Sequence, residues 1–172
     1  MVEFNEVLEK RRSVRAYKDA PVEKAQVDRI ITAVMACPTA GNLQAYRILV
    51  VTDKEKRGAL AAAAFGQRYV AQAPVVLVFS ACADDASKYG RRGRELYALQ
   101  DATIAMTYAH LAATAEGLGS VWIGAFDPEK VSKALDLPAS LLPVAMLPIG
   151  HPADKAGKRK RKPAEEIVQY EK

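Results

Sequence analysis

Histidine and cysteine are scarce in this chain of 172 residues, which contains two of each. With so few potential ligands and no C-x-x-C motif, we expect no metal site. We interpret Cys37 as a small buried residue at a helix end and not as a redox centre. The low cysteine content fits a reducing compartment, and we predict a cytoplasmic protein.

The sequence also lacks long apolar runs and a secretory leader. No run approaches the roughly 20 apolar residues that a membrane-spanning helix needs, and the N-terminal MVEFNEVLEKRRS is charged and amphipathic. No zinc finger, aromatic ribonucleoprotein motif or recognition-helix pattern is present, so we expect neither a membrane nor a nucleic-acid partner. With 50% hydrophobic and 26% charged residues, the composition predicts a single globular domain over residues 1–172.

Positive charge is concentrated near the end of the chain. The net charge is +5, and taking away the six basic residues of one short segment leaves the remainder at −1. This segment is compatible with a solvated tail, with a patch that binds nucleic acid or another polyanion, and with a phosphate clamp. Its basic residues are Lys155, Lys158, Arg159, Lys160, Arg161 and Lys162.

A second basic cluster, Arg11-Arg12-Ser13-Val14-Arg15, lies near the start of the chain. Three guanidiniums within five positions repel one another unless an anion lies among them. Each guanidinium presents a planar fork of donors that matches a phosphate, and the Ser13 hydroxyl can contact the same group. The alternative is a solvated basic turn.

Helical and strand patterns alternate along the chain. Asp127 followed by Pro128 is typical of a helix start, and we expect the first two apolar runs to be strands covered on both faces. Apolar spacing and composition predict helices near residues 4–11, 27–35, 54–65, 101–118 and 128–135. Apolar runs predict strands over residues 47–53, 73–81, 119–126 and 145–149.

The predicted helix over residues 101–118 has two stripes. We expect the apolar stripe to face the core and the small polar stripe to face a second neighbour, which indicates a symmetric subunit contact. His110 is interpreted as a hydrogen-bonded packing residue and not as a catalytic base. The apolar stripe consists of Ile104, Tyr108, Leu111, Ala115 and Leu118. The polar stripe consists of Thr103, Thr107, His110, Thr114 and Gly117.

The apolar end of the chain follows a polar run and has no local partner. Ile167, Val168 and Tyr170 predict an extended arm. Because a terminal strand without a partner is a candidate for exchange, we expect this arm to pair with another subunit.

The segment between the second helix and the first strand carries two amide side chains, Asn42 and Gln44. On an extended loop they would lie on the same side and could contact the edge of a heterocycle. An ordinary helix-to-strand loop is the alternative. Gly124, inside an apolar strand end, marks close approach by a ligand or by another backbone.

An arginine cluster, an amide-bearing loop and a glycine in a strand end are what a flat, phosphorylated heterocycle needs. With these features the chain resembles the nitroreductase family of flavin mononucleotide (FMN) enzymes. The matching stretches run in family order over nearly the full length. They are RRSVRAY at 11–17, CPTAGNLQAYRILVV at 37–51, AQAPVVLV at 71–78, GLGSVWIGAF at 117–126, LPIGHP at 147–152 and KRKRKPAEEIV at 158–168.

The resemblance implies an α+β sandwich with a mostly antiparallel sheet between helices, and a homodimer with two FMN sites and an exchanged C-terminal arm. The residues that match phosphate-binding positions are Arg11, Arg12, Ser13, Arg15, Arg159 and Arg161. Those that match the loop reaching the flavin of the partner subunit are Pro38, Thr39, Ala40, Asn42 and Gln44. Those that match positions near the isoalloxazine are Gln67, Ile123, Gly124 and Ala125.

The implied activity is ping-pong hydride transfer from NADH or NADPH through FMN to a small electrophile such as a nitroaromatic or a quinone. The chemistry belongs to FMN, so we expect no essential acid–base side chain. The alternatives are a specialised flavoenzyme of the same fold, dehalogenase-like or flavin-fragmenting, and a polyanion-binding protein that uses the 155–162 run.

Two further features of the sequence bear on the site. The polar segment over residues 84–100 either covers the flavin face, with Tyr89 and Tyr97 among its lining residues, or forms a solvated loop. Gly66 differs from the asparagine common in the family, and Ala40 and Gly41 replace hydroxyl residues. These departures concern the hydrogen bonds at the flavin edge.

Overall fold

The computed structural model describes residues 3–154, 157 and 159–171. Within them the α-helices are α1 (Phe4–Lys10), α2 (Lys24–Met35), α3 (Lys54–Ala63), α4 (Arg68–Gln72), α5 (Gly90–Arg92), α6 (Ala98–Ala115) and α7 (Pro128–Ala134). The strands are β1 (Tyr46–Val51), β2 (Val75–Cys82), β3 (Gly119–Ser120) and β4 (Leu141–Gly150). Shorter turns are 3₁₀ at Ala40–Asn42, Ser87–Tyr89 and Ala164–Glu166, and π-helical at Gly93–Tyr97.

The strands of the described residues form one sheet between two layers of helices. Their order is β1-β2-β4-β3, and every neighbouring pair is antiparallel. Helices α2 and α6 pack on one face, where Ile30, Phe79 and Met106 are fully buried. Helices α3, α4 and α7 pack on the other face, around Leu60 and Val70. The predicted α+β sandwich with a mostly antiparallel sheet is confirmed.

The two strands predicted to be covered on both faces differ from each other. Every residue of β2 is buried, as its continuous apolar run predicts. Strand β1 instead lies at the edge of the sheet, with Arg47 and Val50 exposed. The prediction for β1 was wrong because an apolar run identifies a strand but does not determine its position in the sheet.

The predicted strand over residues 119–126 is shorter in the structure, where β3 contains only Gly119 and Ser120. The chain returns to the same antiparallel register at a bridge between Ile123 and Met146. Between these points the register would place Val121 opposite Pro148, which has no N–H to donate to the ladder. The Pro148 carbonyl accepts a hydrogen bond from the Tyr17 hydroxyl at 3.2 Å.

Helix α6 begins three residues earlier than predicted and buries a different face. The predicted core stripe is only partly covered, with Ile104 and Leu111 half-buried and Tyr108 exposed. Alanine is small enough to let a helix approach the sheet closely, so the size of an apolar side chain misled the prediction. The buried residues of α6 are Ala98, Asp101, Ala102, Ala105, Met106, Ala109, His110 and Ala113.

The C-terminal residues lie away from the core. Ile167 is 71% exposed and Tyr170 is 86% exposed, so the predicted arm has no apolar partner within the described part of its own chain. Among the same residues, no helix combines the length and the apolar character needed to cross a bilayer.

Candidate functional site

The two basic clusters of the sequence meet around one cavity beside the end of α1. The cavity has a volume of about 660 Å³, and we refer to it as the arginine cavity. All six residues predicted to bind a phosphate line it, although 144 positions separate Arg15 from Arg159 along the chain. The lining consists of Leu8, Glu9, Arg11, Arg12, Ser13, Arg15, Asp154, Gly157, Arg159 and Arg161.

The arginine cavity carries an excess of positive charge. None of its arginines forms an ion pair among residues 3–154, 157 and 159–171. The pKa of Arg11 is lowered, first because its guanidinium is partly buried and then because Arg161 and Arg12 lie near it. An anion between these groups would reverse the repulsion and favour their charged forms. The cavity is therefore suited to a phosphate.

Pairing with β3 fixes the orientation of segment 11–15. Ser13 forms a parallel bridge with Ser120, and the Val14 N–H donates to the Ser120 carbonyl at 3.0 Å. The buried Val14 side chain fills the space in front of Gly119, where an added Cβ would lie 2.8 Å from a Val14 methyl. Because successive side chains of an extended segment alternate, burial of Val14 turns Ser13 and Arg15 outward.

His110 connects the arginine cavity to the buried face of α6. Its Nε2 lies 3.0 Å from an Arg11 guanidinium nitrogen, and its Nδ1 lies 2.6 Å from the Ser120 hydroxyl. Because a guanidinium can only donate, Nε2 is the acceptor and Nδ1 carries the proton. Burial, and then the charge of Arg11, lowers the pKa of His110 to about 4. The prediction of a hydrogen-bonded packing residue is confirmed.

Gln67 and the strand end at 123–125 lie together. The Gln67 side-chain amide donates to the Ala125 carbonyl at 2.9 Å. Ile123 is buried, and both of its backbone groups pair with Met146. In the described part of the chain, the N–H groups of Gly124 and Ala125 donate to no protein acceptor. They are the available backbone donors of this strand end.

The surface of Gly124 is open. A Cβ added there would have only the Trp122 indole within 4 Å, with Nε1 at 3.2 Å. No backbone from the described residues makes the close approach that the glycine predicted. Within the described residues this surface is therefore open to a ligand or to another copy of the chain.

The loop over residues 38–44 is folded and not extended. Gly41, Asn42 and Gln44 have positive φ angles of 56°, 58° and 51°, and the Gln44 amide donates to the Asn42 carbonyl at 2.9 Å. The loop is therefore not extended, as the expectation for Asn42 and Gln44 required, although the two side-chain amides still meet, with Gln44 Nε2 3.4 Å from Asn42 Oδ1. Left-handed backbone at three positions removes the period-two alternation on which that expectation depended.

A buried carboxylate holds this loop against α6. Asp101 is 1% exposed and accepts from the Ala40 N–H at 2.9 Å and the Ala45 N–H at 3.3 Å. Thr39 adds a contact within the loop, where its hydroxyl accepts from the Gln44 N–H at 3.2 Å. The Ala40 backbone thus has a structural partner although its side chain has no hydroxyl.

Tyr89 brings segment 84–100 onto the loop. Its hydroxyl occupies the space that a Cβ on Gly41 would take, so glycine is the residue that this packing admits. The Tyr89 ring packs edge-to-face against Tyr97, with centroids 5.4 Å apart. This segment forms successive helical turns, and its Tyr89, Arg91 and Arg92 side chains are solvent-exposed.

Within one chain the predicted site falls into two parts. Among the described residues that line the arginine cavity there are none from loop 38–44. The loop is held at Asp101 and Arg11 is held at His110, nine residues along α6, which corresponds to about 13 Å of helix axis. The described residues of one chain therefore do not place loop 38–44 at the arginine cavity, where the resemblance implies that a partner subunit supplies it.

Sequence reasoning missed Asp101 and Ser120. Asp101 lies between alanine and glutamine at the start of a helical pattern, where an acidic residue is ordinary. The one feature that could have identified it is its position on the same face of α6 as the buried alanines. In the described part of the chain, no group of three or more histidine, cysteine, aspartate or glutamate side chains could hold a metal ion.

Comparisons with known proteins place this geometry in a family. The model of the nitroreductase family matches residues 8–68 and 64–151. The chain is 38% identical to an FMN reductase [NAD(P)H] from Bacillus subtilis over 98% of this chain and 74% of the relative. It is 35% identical to an NADH dehydrogenase from Thermus thermophilus over 92% and 91%. A solved structure, the hypothetical oxidoreductase YcnD from Bacillus subtilis, superimposes with a TM-score of 0.91 and 35% identity over 100% of this chain and 75% of that one. The chain belongs to the nitroreductase family.

Proposed function

We propose that this protein is an FMN-dependent NAD(P)H oxidoreductase that reduces small electrophiles such as nitroaromatics and quinones. The observation that carries the proposal is the arginine cavity, where both ends of the chain contribute guanidiniums without carboxylate partners among the described residues. Family membership and relatives named FMN reductase and NADPH nitroreductase support this class of activity.

The residues present fit FMN. The guanidiniums of Arg11, Arg15 and Arg161 would hold its phosphate, since charge-assisted hydrogen bonds to phosphate are the strongest that arginine makes. The N–H groups of Gly124 and Ala125, unused by the described protein acceptors, would meet the flavin edge. Loop 38–44 of a second copy would complete the ring site.

When bound, FMN supplies the redox chemistry, accepting a hydride from NAD(P)H and passing electrons to the acceptor. The chain itself would bind FMN and orient it. Its arginines supply a positive field, and its backbone donors stabilise negative charge on the ring. We assign no catalytic acid or base to the protein.

A homodimer follows from the incomplete site. The half-buried Ile104 and Leu111 and the exposed Tyr108 form an apolar face on α6, and the exposed arm at Ile167 and Tyr170 lacks a partner in the described chain. We expect a second copy to cover these surfaces and to supply its loop 38–44 to the arginine cavity. A monomeric mass with FMN bound would contradict the shared site.

The assignment of the arginine cavity as a phosphate site can be tested by titrating FMN into the flavin-free protein. Arg15→Ala and Arg161→Ala should each weaken FMN binding by about 1–3 kcal/mol, the usual loss for a hydrogen bond to a charged group. Arg29→Ala is the matched control, because Arg29 lies on α2 and pairs with Glu116 away from the cavity. Unchanged FMN affinity in both test variants would contradict the phosphate assignment.

The activity itself has a direct test. The purified protein should show flavin absorbance, NADH or NADPH should bleach it, and a panel of nitroaromatics and quinones should restore it. A colourless protein that stays colourless with added FMN would contradict the proposed function. Retention of a nucleic acid by that colourless protein would favour the polyanion alternative. Cleavage of the flavin or release of halide by the yellow protein would favour a specialised member of the fold.

A further inference from the structure

Helix α6 carries two buried polar side chains that contact opposite halves of the proposed site. The buried polar or charged side chains in the described part of the chain are Ser80, Asp101, His110 and Ser120. Asp101 contacts loop 38–44, whereas His110 and Ser120 contact segment 11–15. Burying a polar group is unfavourable unless it is hydrogen-bonded, and three of these four side chains have their partners in the site.

His110 restrains Arg11 by a specific hydrogen bond. Its neutral Nε2 accepts from the guanidinium at 3.0 Å. The Ser120 hydroxyl, 2.6 Å from Nδ1, holds the ring in the tautomer that leaves Nε2 free to accept. The Ser120 carbonyl also accepts from the Val14 N–H, so both anchors of segment 11–15 meet at Ser120.

Asp101 restrains the loop in a similar way. Its two carboxylate oxygens accept from the N–H groups of Ala40 and Ala45, on either side of the left-handed residues. Ala45 is fully buried, so its N–H has no access to water as a substitute acceptor. Asp101 is therefore the acceptor for both N–H groups, in addition to the contacts that Thr39 and Tyr89 make with the loop.

We propose that His110 and Asp101 are positioning residues: His110 holds the phosphate half of the chain's own site, and Asp101 holds the loop that completes the ring half of the site in a second copy. The inference rests on the proposed function. Its specific content is that His110 acts on phosphate recognition through Arg11, and that Asp101 acts on ring recognition through the loop. The two effects separate when FMN is compared with riboflavin, which has the same ring and no phosphate.

Two nearly isosteric substitutions isolate the His110–Arg11 contact. The oxygen of His110→Gln can reach the position of Nε2 and accept from Arg11, whereas His110→Asn reaches only the position of Nδ1. We expect His110→Asn to lower the FMN-to-riboflavin affinity ratio about tenfold, because tenfold corresponds to about 1.4 kcal/mol, within the range for a lost charge-assisted hydrogen bond. His110→Gln should keep most of the ratio. His151→Asn is the histidine control, since His151 lies outside the arginine cavity and contacts the Pro21 carbonyl.

A double-mutant cycle tests whether His110 acts through Arg11. In an Arg11→Ala background, His110→Asn should leave the ratio unchanged, because the guanidinium that it positions is absent. A tenfold fall in that background would overturn the proposal. An unchanged ratio in the single His110→Asn variant would also overturn it.

Asp101→Asn should give the opposite pattern. Asparagine retains one acceptor oxygen and leaves one of the two loop N–H groups unpaired, so FMN and riboflavin should both bind about tenfold more weakly with their ratio unchanged. A selective loss of FMN affinity would overturn the assignment of Asp101 to the ring half. If unmodified protein binds neither ligand, the proposed function fails. If it binds FMN and none of the variants changes affinity, only the positioning inference fails.

Discussion

The arginine cavity and loop 38–44 are built in opposite ways. The cavity gathers guanidiniums from two distant segments, and its recognition depends on charge. The loop contains no charged residue, and its shape depends on three left-handed residues and one buried carboxylate. From this difference we expect a charge-based half-site to withstand small backbone shifts better than a half-site whose donors are set by backbone angles. The two halves should therefore respond differently to pH and to changes in side-chain volume.

Acidification should destabilise the protein through His110, which lies beside the arginine cavity, and this is the largest effect that we expect. His110 has an ordinary pKa of 6.5 and a pKa of about 4 in the folded protein. Between these values the unfolded chain binds more protons than the folded one, so stability falls as the pH drops from 6.5 to 4 and this contribution levels off below 4. At 1.36 kcal/mol per unit the loss is about 3 kcal/mol.

Chemical denaturation at pH 7 and at pH 4.5 measures this loss. His110→Gln has no imidazole to protonate, so its free energy of unfolding should fall less over the same interval by about 2–3 kcal/mol. The comparison between variants removes the contribution of carboxylates that titrate in both proteins. Identical pH dependence in the two proteins would show that His110 does not govern the acid response of this half.

The sequence predicts the arginine cavity better than it predicts the conformation of loop 38–44. The arginines and Ser13 of the arginine cavity could be predicted because the family resemblance aligns them and their charge density is visible in the sequence. The loop conformation could not, since Asn42 and Gln44 look the same in sequence whether their φ angles are negative or positive. Asp101 was missed for a related reason: a carboxylate shows its burial only once the alanine face of α6 is known.

For the fold as well, the sequence predicts some features and not others. The alternation of helices and strands and the antiparallel sandwich could be predicted, because periodicity and the family resemblance bear on them directly. The edge position of β1 and the interruption of the ladder opposite Pro148 depend on which segments become neighbours. The face of α6 that packs on the sheet was misassigned because alanines permit closer packing than the larger Ile104 and Leu111.

Gly41→Ala should destabilise loop 38–44, with a smaller effect than that of acidification. Alanine is disfavoured at a φ of 56° by about 1 kcal/mol, and its Cβ would meet the Tyr89 hydroxyl, so the total loss of stability should be about 2 kcal/mol. FMN and riboflavin should lose affinity together, because the phosphate cavity is unchanged. Thermal or denaturant unfolding measures the first effect and flavin titration the second.

Tyr89→Phe provides the control for Gly41→Ala. Removing the hydroxyl relieves the closest contact and leaves the ring carbon Cζ 3.1 Å from the new Cβ, so the double variant should recover most of the steric part and retain the backbone part. If the double variant is as unstable as Gly41→Ala alone, the contact with Tyr89 is not what requires glycine at this position. In that case the φ angle would account for the full effect.

The smallest change, Gly124→Ala, probes the strand end that would meet the flavin ring. Gly124 is not among the glycines with positive φ, and its added Cβ would have only the half-exposed Trp122 indole within 4 Å. Stability should therefore change by no more than about 0.5 kcal/mol. If a flat ring packs on this glycine, the methyl should weaken FMN and riboflavin equally, by about 1 kcal/mol. Gly58→Ala is the matched control, because nothing lies within 4 Å of its added Cβ and it should leave flavin affinity unchanged. If only FMN lost affinity, the phosphate and not the ring would lie against Gly124, and the placement of the ring at this strand end would be wrong.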